Sequence, residues 1–138
     1  MIFAIAFAVA GPSTASPCPG RTTPEVNACF DSQLDRADAE LNRYYRAAMR
    51  RLRSDDQAKA ADSLVRAERS WLAYRDAECG GVYTYWSGGT IRTAAEIACR
   101  IHVTKLRTYT IWRNWLTYMD SSPPILPRPD VEAAIRSE

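Results

Sequence analysis

The sequence is poor in the residues that most catalytic and metal sites require. It contains a single histidine, His102, and none of its four cysteines stands at the C-x-x-C spacing of zinc sites. An activated nucleophile needs a base beside it, and the sequence assigns no such partner to His102. We therefore expect no metal, no cofactor and no catalytic residue, and we interpret the protein as a non-enzyme.

Strong charge and long apolar runs are also missing. The net charge of the 138 residues is +2, far below the density of positive charge that nucleic-acid binding requires. The longest apolar run lies at the N-terminus and has about half of the roughly 20 residues that span a bilayer. We expect one domain with a single core, no membrane anchor and no nucleic-acid partner.

Residues 1–15 have the composition of a secretory signal peptide. The apolar run MIFAIAFAVA is followed by GPSTA, which supplies small residues at the spacing that a signal peptidase reads. Ala8 with Ala10, or Ser13 with Ala15, satisfies that spacing, and we favour cleavage near Ala15. The basic residue usual before the apolar run is absent, so either translation starts upstream or the signal is atypical. The expected location is secreted or periplasmic.

Four cysteines in an exported chain of this size predict two disulfides. Three pairings are possible, and the spacing favours neighbours, Cys18 with Cys29 and Cys79 with Cys99. A lipid anchor on Cys18 is not expected, because Pro17 precedes it where a small residue is required.

The segment from Thr23 to Arg53 shows the period of an amphipathic helix. Its apolar side chains recur every three or four residues. Thr22 or Thr23 can cap its start, with Pro24 and Glu25 in the first turn. The expected buried stripe consists of Phe30, Leu34, Ala37, Leu41, Tyr45, Ala48 and Leu52.

Two further helices are expected after short connections. S-D-D-Q at residues 54–57 has the form of a capping box, and the second helix is predicted from there to Cys79, with the glycine pair at 80–81 ending it. A third is predicted from Thr90, as N-cap, to about Asp120. Short connections make neighbouring helices antiparallel, and no strand pattern is present. The predicted fold is all-α, an antiparallel bundle of three or four helices stapled by two disulfides.

Prolines separate the predicted helical domain, residues 16–120, from a C-terminal tail, residues 121–138. The tail begins SSPPILPRPD and cannot continue a helix, because proline removes a backbone donor and favours extended backbone. We expect either a linker or a segment that lies along the surface.

The connection between the second and third helices is unusually aromatic. Tyr83, Tyr85 and Trp86 follow no helical stripe, and they are enclosed by glycines that end with Gly88 and Gly89. Rigid rings on a disulfide-closed loop offer contact area at low entropic cost, so the pattern favours a partner-binding loop. The alternative is that Trp86 folds back and plugs the open end of the bundle.

Two sequence motifs resemble those of a known family. The first, D-x-x-L-N-x-x-Y, is formed by Asp38, Leu41, Asn42 and Tyr45. The second, W-x-x-Y-R-D-x-x-C, is formed by Trp71, Tyr74, Arg75, Asp76 and Cys79, and Gly88, Gly89, Cys99, Thr104 and Arg107 follow in the same order. On these residues, from about Cys18 to Ile111, the chain resembles the LprI-type lysozyme inhibitor family. The resemblance implies an exported, helical, disulfide-stapled domain whose partner is a lysozyme or another peptidoglycan-cleaving enzyme.

The motif residues also have structural interpretations. Leu41, Tyr45 and Trp71 fall on the apolar stripes and are expected to pack in the core. The polar ones lie beside those stripes, where charges need partners. We therefore predict that Asp38 or Asp76 pairs with Arg75 or Arg107 and locks the helices together.

Three functions are compatible with these patterns. The first is an inhibitor that binds a lysozyme and occludes its substrate cleft with the aromatic loop. The second is a cell-wall carbohydrate-binding module, in which the same rings stack on sugars. The third is an envelope immunity or scaffold protein that does not inhibit lysozyme.

Overall fold

A computed structural model describes residues 18–131, which form a bundle of three helices. Helix α1 spans Thr23–Ser54, α2 spans Ala58–Tyr85 and α3 spans Arg92–Trp115. No strand occurs within the described range. The predicted all-α bundle is confirmed, with three helices, whereas the predicted signal peptide, its cleavage site and residues 132–138 lie outside the described residues.

The start of α1 follows the sequence prediction. Thr22 is the N-cap, and its hydroxyl accepts from the Glu25 backbone N–H at 3.4 Å while the Glu25 carboxylate accepts from the Thr22 N–H at 3.1 Å. This reciprocal pair is a capping box, and Pro24 stands in the first turn, where its missing N–H costs nothing. The backbone hydrogen bonds from Arg21 and Thr22 lower the pKa of Glu25.

The predicted capping box at residues 54–57 is wrong. Ser54 is still helical, and its hydroxyl donates to the Arg51 carbonyl within the last turn of α1. The chain then reverses at Asp56, whose φ of 56° lies in the left-handed region, and α2 begins after Gln57 without a side-chain cap. The turn is too short for Ser54 to serve the following helix.

Helix α2 does not end at the glycine pair. Gly80 and Gly81 both lie inside it, and the helix continues to Tyr85. A glycine ends a helix when it adopts positive φ, and no glycine of the described chain does so. Each glycine in a helix interior costs only about 1 kcal/mol relative to alanine. The disulfide beside the pair offsets that cost by holding this segment of α2 against α3.

Helix α3 is shorter at both ends than its hydrophobic period predicts. It begins at Arg92 after Ile91, so Thr90 is not its cap, and it ends at Trp115 rather than near Asp120. The Arg51 guanidinium donates to the Trp115 and Thr117 carbonyls at 2.8 and 2.9 Å. These bonds satisfy carbonyl oxygens that the end of the helix leaves open.

The core lies mainly between α1 and α3, which pack together most extensively, while α1 and α2 share the fewest contacts. Contacts at successive levels show that α1 and α3 run in the same direction and that α2 runs antiparallel to both. Most of the α1 stripe is confirmed, although Tyr44 is buried and Tyr45 only half-buried. The central cluster consists of Leu41, Tyr44, Ala47, Ala48, Met49, Leu52, Ala61, Leu64, Ile111 and Leu116.

Residues 117–131 form a C-terminal strap that lies along the bundle, as one of the two sequence expectations had it. The Tyr44 hydroxyl donates to the Pro127 carbonyl at 2.7 Å, and the Trp112 indole N–H donates to the Leu126 carbonyl at 2.9 Å. Val131 is buried and Leu126 packs against the core.

Both predicted disulfides are present. Cys18–Cys29 ties the segment before α1 to its second turn, and Cys79–Cys99 joins α2 to α3. The described residues contain no free cysteine. The second disulfide lies nearly two turns before the end of α2, where it holds the segment that carries the aromatic residues against α3.

Candidate functional site

The predicted aromatic residues lie at the end of α2 rather than in a long loop. Tyr83 and Tyr85 belong to its last turn, and Trp86 is the residue at which the helix ends. Tyr85 is 80% exposed and Trp86 is 48% exposed, with their rings 5.2 Å apart in an edge-to-face arrangement. Trp86 therefore does not fold back as a plug, and the two rings brace each other at the surface.

Tyr83 is separate from this pair. It is half-buried, and the Arg92 guanidinium lies over its ring at 5.3 Å. Arg92 also donates to the Ser87 carbonyl, so it closes the short turn between α2 and α3. The exposed Gly88 and Gly89 lie in that turn. Tyr83, Gly88 and Gly89 therefore shape the connection between α2 and α3. Tyr85 and Trp86 are the rings that a partner can reach.

Five further residues join Tyr85 and Trp86 on the outward side of α2, where Tyr74 is 53% exposed. The seven residues that line this shallow depression of about 450 Å³, here called the aromatic surface, are Tyr74, Ala77, Glu78, Gly81, Val82, Tyr85 and Trp86. The first five of these were not predicted as binding residues from the sequence. Their spacing of three and four residues is a helical stripe, and it becomes visible once α2 extends through the glycines.

Arg75 is the residue that connects all three helices. Its Nη1 donates to Asp38 Oδ1 on α1 at 2.6 Å and to the buried Thr104 hydroxyl on α3 at 3.0 Å. Its guanidinium also lies 4.9 Å from the Trp71 ring, one turn earlier on α2. Of the four combinations predicted for Asp38 or Asp76 with Arg75 or Arg107, the structure contains the pair Asp38–Arg75.

The other two predicted members of the ion pairs have different partners. Arg107 on α3 pairs with Glu68 on α2 at 3.0 Å, and both side chains are largely buried. Asp76 accepts from Arg100 on α3 at 2.7 Å. The hydrogen bond that Arg100 donates to Asp76, reinforced by the one to Glu96, raises the pKa of Arg100. Glu68 and Arg100 were not identified from the sequence, because neither lies in the motifs.

A second depression lies between α1 and α2, on a different side of α2 from the aromatic surface. It has a volume of about 310 Å³ and shares no residue with the aromatic surface. We call it the motif groove, because six of its residues belong to the two sequence motifs. Its lining consists of Asp38, Leu41, Asn42, Tyr45, Val65, Glu68, Arg69, Trp71, Leu72 and Arg75. The core positions predicted for Tyr45 and Trp71 are thus only half-buried, and Leu72 is 41% exposed.

The described residues contain neither a metal-binding cluster nor a helix suited to span a membrane. Residues 18–131 hold no group of three or more histidine, cysteine, aspartate or glutamate side chains placed to bind a metal ion. Within the same range, the helices are too polar for any of them to cross a membrane.

The fold and these surfaces define a small, disulfide-stapled helical domain with exposed aromatic residues. The family model for lysozyme inhibitor LprI matches residues 15–111, more than half of the chain. The chain belongs to this family. The match covers all three helices except the last residues of α3, and it ends before the C-terminal strap.

Comparison with known proteins adds one relative without an assigned role. An uncharacterized protein of Rhizobium meliloti (strain 1021) is 30% identical over 93 residues, which are 61% of this chain and 67% of the relative. No solved structure matches the chain. The family description therefore carries the functional information, and the geometry of the surfaces is this chain's own.

Proposed function

We propose that this protein is a secreted or periplasmic lysozyme inhibitor, and that its aromatic surface binds the enzyme and occludes the substrate cleft. Membership of the inhibitor family supports the activity. The observation that carries the choice of surface is the exposure of Tyr85, at 80%, beside a half-exposed Trp86. Two disulfides support a location outside the cytoplasm, where such bonds persist.

The shape of this region suits contact with a cleft. Tyr85 and Trp86 stand where α2 ends and the chain turns, so their exposed rings lie at one end of the shallow depression and at one end of the bundle. The end of a narrow helical bundle can reach the rim of a substrate cleft and cover its opening. Large aromatic side chains in such a position are typical hot spots, because each buries a large area with few rotatable bonds.

The rings are also held in place before a partner arrives. Each ring contacts the other edge-to-face, and the Cys79–Cys99 disulfide fixes the last turns of α2 against α3. Arg92 packs on Tyr83 and fixes the turn that follows. A preorganised surface loses less conformational entropy on binding, which favours affinity.

Electrostatic attraction contributes little to this proposal. The net charge of +2 provides no strong long-range steering, and the aromatic surface itself carries one charged side chain, Glu78. Elsewhere on the bundle, the acidic residues Asp38 and Asp55 are paired with Arg75 and Arg51, so they add little free negative charge. We expect the complex to be stabilised mainly by burial of the rings.

The test is a lysis assay in which purified protein slows the clearing of a cell-wall suspension by lysozyme. Replacing Tyr85 and Trp86 together by alanine should raise the half-inhibitory concentration at least tenfold, because each hot-spot ring contributes about 2 kcal/mol. Tyr118→Ala is the matched control, since Tyr118 is an exposed tyrosine at the opposite end of the bundle. It should inhibit like the wild type.

The outcome that contradicts the proposal is inhibition by the double variant within twofold of the wild type, with the helical circular dichroism intact. Absence of inhibition by the wild type against a panel of lysozymes would favour the immunity or scaffold function. Sedimentation with peptidoglycan that depends on Tyr85 and Trp86, without any slowing of lysis, would favour the carbohydrate-binding module.

A further inference from the structure

The motif groove contains more polar groups than the packing of two helices requires. Where α1 faces α2, a bundle would bury apolar side chains, but here Asp38 and Asn42 face Glu68 and Arg75 across an open depression. Even as ion pairs, these charges cost desolvation free energy that apolar side chains would not, so helix packing alone does not require them here. A role in binding a ligand accounts for the polar lining and for the opening.

Two carboxylates in the groove are oriented but not saturated. Asp38 accepts from Arg75 through Oδ1, and Glu68 accepts from Arg107 through Oε2. Within the described residues, the second oxygen of each carboxylate has no hydrogen-bond partner. Each arginine thus fixes its carboxylate while leaving an acceptor open, which is a suitable arrangement for receiving a ligand hydroxyl.

The rim adds groups that are free to bind. The side chains of Asn42 and Arg69 are exposed, and neither has a hydrogen-bond or ion-pair partner among residues 18–131. An amide offers both donors and an acceptor, and a guanidinium offers donors alone. Between these groups lie two half-buried aromatic rings, Tyr45 from α1 and Trp71 from α2.

Charge and size narrow the class of ligand. The two carboxylates that line the groove are already neutralised, Asp38 by Arg75 and Glu68 by Arg107, which leaves one charge, on the exposed Arg69 at the rim. Water and salt screen a single exposed charge, so an ionic ligand gains little electrostatic advantage. An apolar peptide segment would cover the open oxygens of Asp38 and Glu68 and the Arg69 guanidinium without offering them hydrogen bonds. The volume of about 310 Å³ is at the lower end for a small-molecule site.

We propose that the motif groove binds a neutral saccharide. The C–H face of a sugar ring is apolar and packs against an aromatic face, whereas its hydroxyls lie around the edge and both donate and accept. Tyr45 and Trp71 supply the rings, the open carboxylate oxygens accept, and Asn42 does both. This site is independent of the proposed lysozyme contact, which uses other residues on another side of α2.

The test is a titration of the wild-type protein, without lysozyme, with chitotriose and with cellotriose, followed by amide chemical shifts. Binding should occur with a dissociation constant of about 1 mM or tighter for at least one of the two. The shifts should concentrate on residues 37–46 and 64–76, which line the groove. Trigalacturonate serves as the charged comparison and should bind more weakly than the better neutral probe.

Two variants locate the site. Trp71→Leu should weaken binding about tenfold or more by removing a ring, and Asn42→Ala should weaken it about three- to tenfold by removing one or two hydrogen bonds. Asn42 is exposed and makes no internal contact of this kind, so its variant keeps the fold and decides the question if Trp71→Leu does not fold. Tyr118→Ala, at the far end of the bundle, should bind like the wild type.

The proposal is overturned if neither neutral probe shifts the groove resonances at a concentration of about 20 mM, 20-fold above the weakest expected dissociation constant. It is also overturned if Asn42→Ala binds as tightly as the wild type, or if trigalacturonate binds more tightly than both neutral probes. Because lysozyme is absent from the titration, failure here leaves the inhibition proposal standing. Failure of the lysis assay, in turn, leaves the saccharide site standing.

Discussion

Arg75 Nη1 lies 2.6 Å from Asp38 Oδ1, and this contact joins α1 to α2. Of the three pairs of helices, α1 and α2 pack together least. The same nitrogen donates to the buried Thr104 hydroxyl on α3. The Arg75 side chain is 13% exposed and the Asp38 side chain 38%, so water screens the pair only in part. One guanidinium therefore holds three helices at one level of the bundle.

Replacing Arg75 by alanine should lower the free energy of unfolding by about 2–3 kcal/mol, because it leaves Asp38 and Thr104 without a partner and removes the packing on Trp71. Asp38→Ala should cost less, about 1 kcal/mol, since its carboxylate is partly solvated. Urea unfolding of both single variants and the double variant measures their coupling. Strictly additive effects would show that the contact contributes nothing of its own.

The glycine pair in α2 allows a matched comparison. A Cβ added at Gly80 or Gly81 would meet nothing within 4 Å, and neither has positive φ, so alanine fits at both positions. Each substitution should stabilise the fold by about 0.5–1 kcal/mol in thermal or urea unfolding.

The two glycines differ in what they face. Gly81 lines the aromatic surface and Gly80 does not. If a partner approaches the backbone there, Gly81→Ala should weaken lysozyme inhibition severalfold, whereas Gly80→Ala should leave it unchanged. Equal inhibition by both variants would place Gly81 outside the contact.

The C-terminal strap should contribute to stability but not to inhibition. Deleting residues 121–138 removes the carbonyl partners of Tyr44 and Trp112 and uncovers the apolar area under Leu126 and Val131. The free energy of unfolding should fall by about 3 kcal/mol or more. Calorimetry measures the loss of stability, and the lysis assay measures whether inhibition is unchanged. An unchanged melting temperature would contradict the role assigned to the strap.

The strap contact at Tyr44 also predicts a pH dependence. Burial, aided by Glu40, raises the pKa of Tyr44, whose neutral hydroxyl donates to Pro127. Because the folded-state pKa lies above the unfolded value of about 10, the stabilisation is complete below that pH and is lost as pH rises through the folded-state pKa. Tyr44→Phe should abolish this alkaline loss, and an identical alkaline profile for the wild type and the variant would refute it.

The two disulfides should differ in their effect on inhibition. Replacing either pair by alanine is expected to destabilise the fold by about 2–4 kcal/mol. Loss of Cys79–Cys99 frees the end of α2 that carries the aromatic surface, so it should also weaken inhibition at temperatures where the variant stays folded. Loss of Cys18–Cys29, which joins the N-terminal segment to α1 and holds no part of α2, should not. Equal inhibition by the two variants would show that the second disulfide does not position the rings.

Local chemistry could be predicted well from the sequence. The capping box of Thr22 and Glu25 and the disulfide pairs follow from residue types at short spacings, and the structure contains them. The Asp38–Arg75 pair was one of four combinations that the motifs allowed. Which carboxylate meets which arginine depends on how the helices are rotated about their axes, and periodicity does not give that angle closely enough.

The predictions of helix ends and caps were wrong where tertiary contacts or backbone conformation outweighed a residue's usual local preference. Gly80 and Gly81 normally stop helices, but the disulfide at Cys79 and the contact with α3 hold the backbone helical beyond them. As a result, the aromatic residues 83–86, expected in a loop, stand at a helix end, and Tyr74 joins them. Ser54 failed as a cap because Asp56 adopts a left-handed conformation that shortens the turn.

The sequence by itself determined that this chain is a disulfide-stapled helical bundle of the lysozyme inhibitor family, because apolar period, cysteine spacing and motif residues are local properties. Only the tertiary structure decided which surfaces are open. The positions of Tyr85 and Trp86 at an exposed edge, and the gap between α1 and α2 that forms the motif groove, depend on the relative placement of helices. That placement results from packing between residues far apart in the chain, which no short stretch of sequence contains.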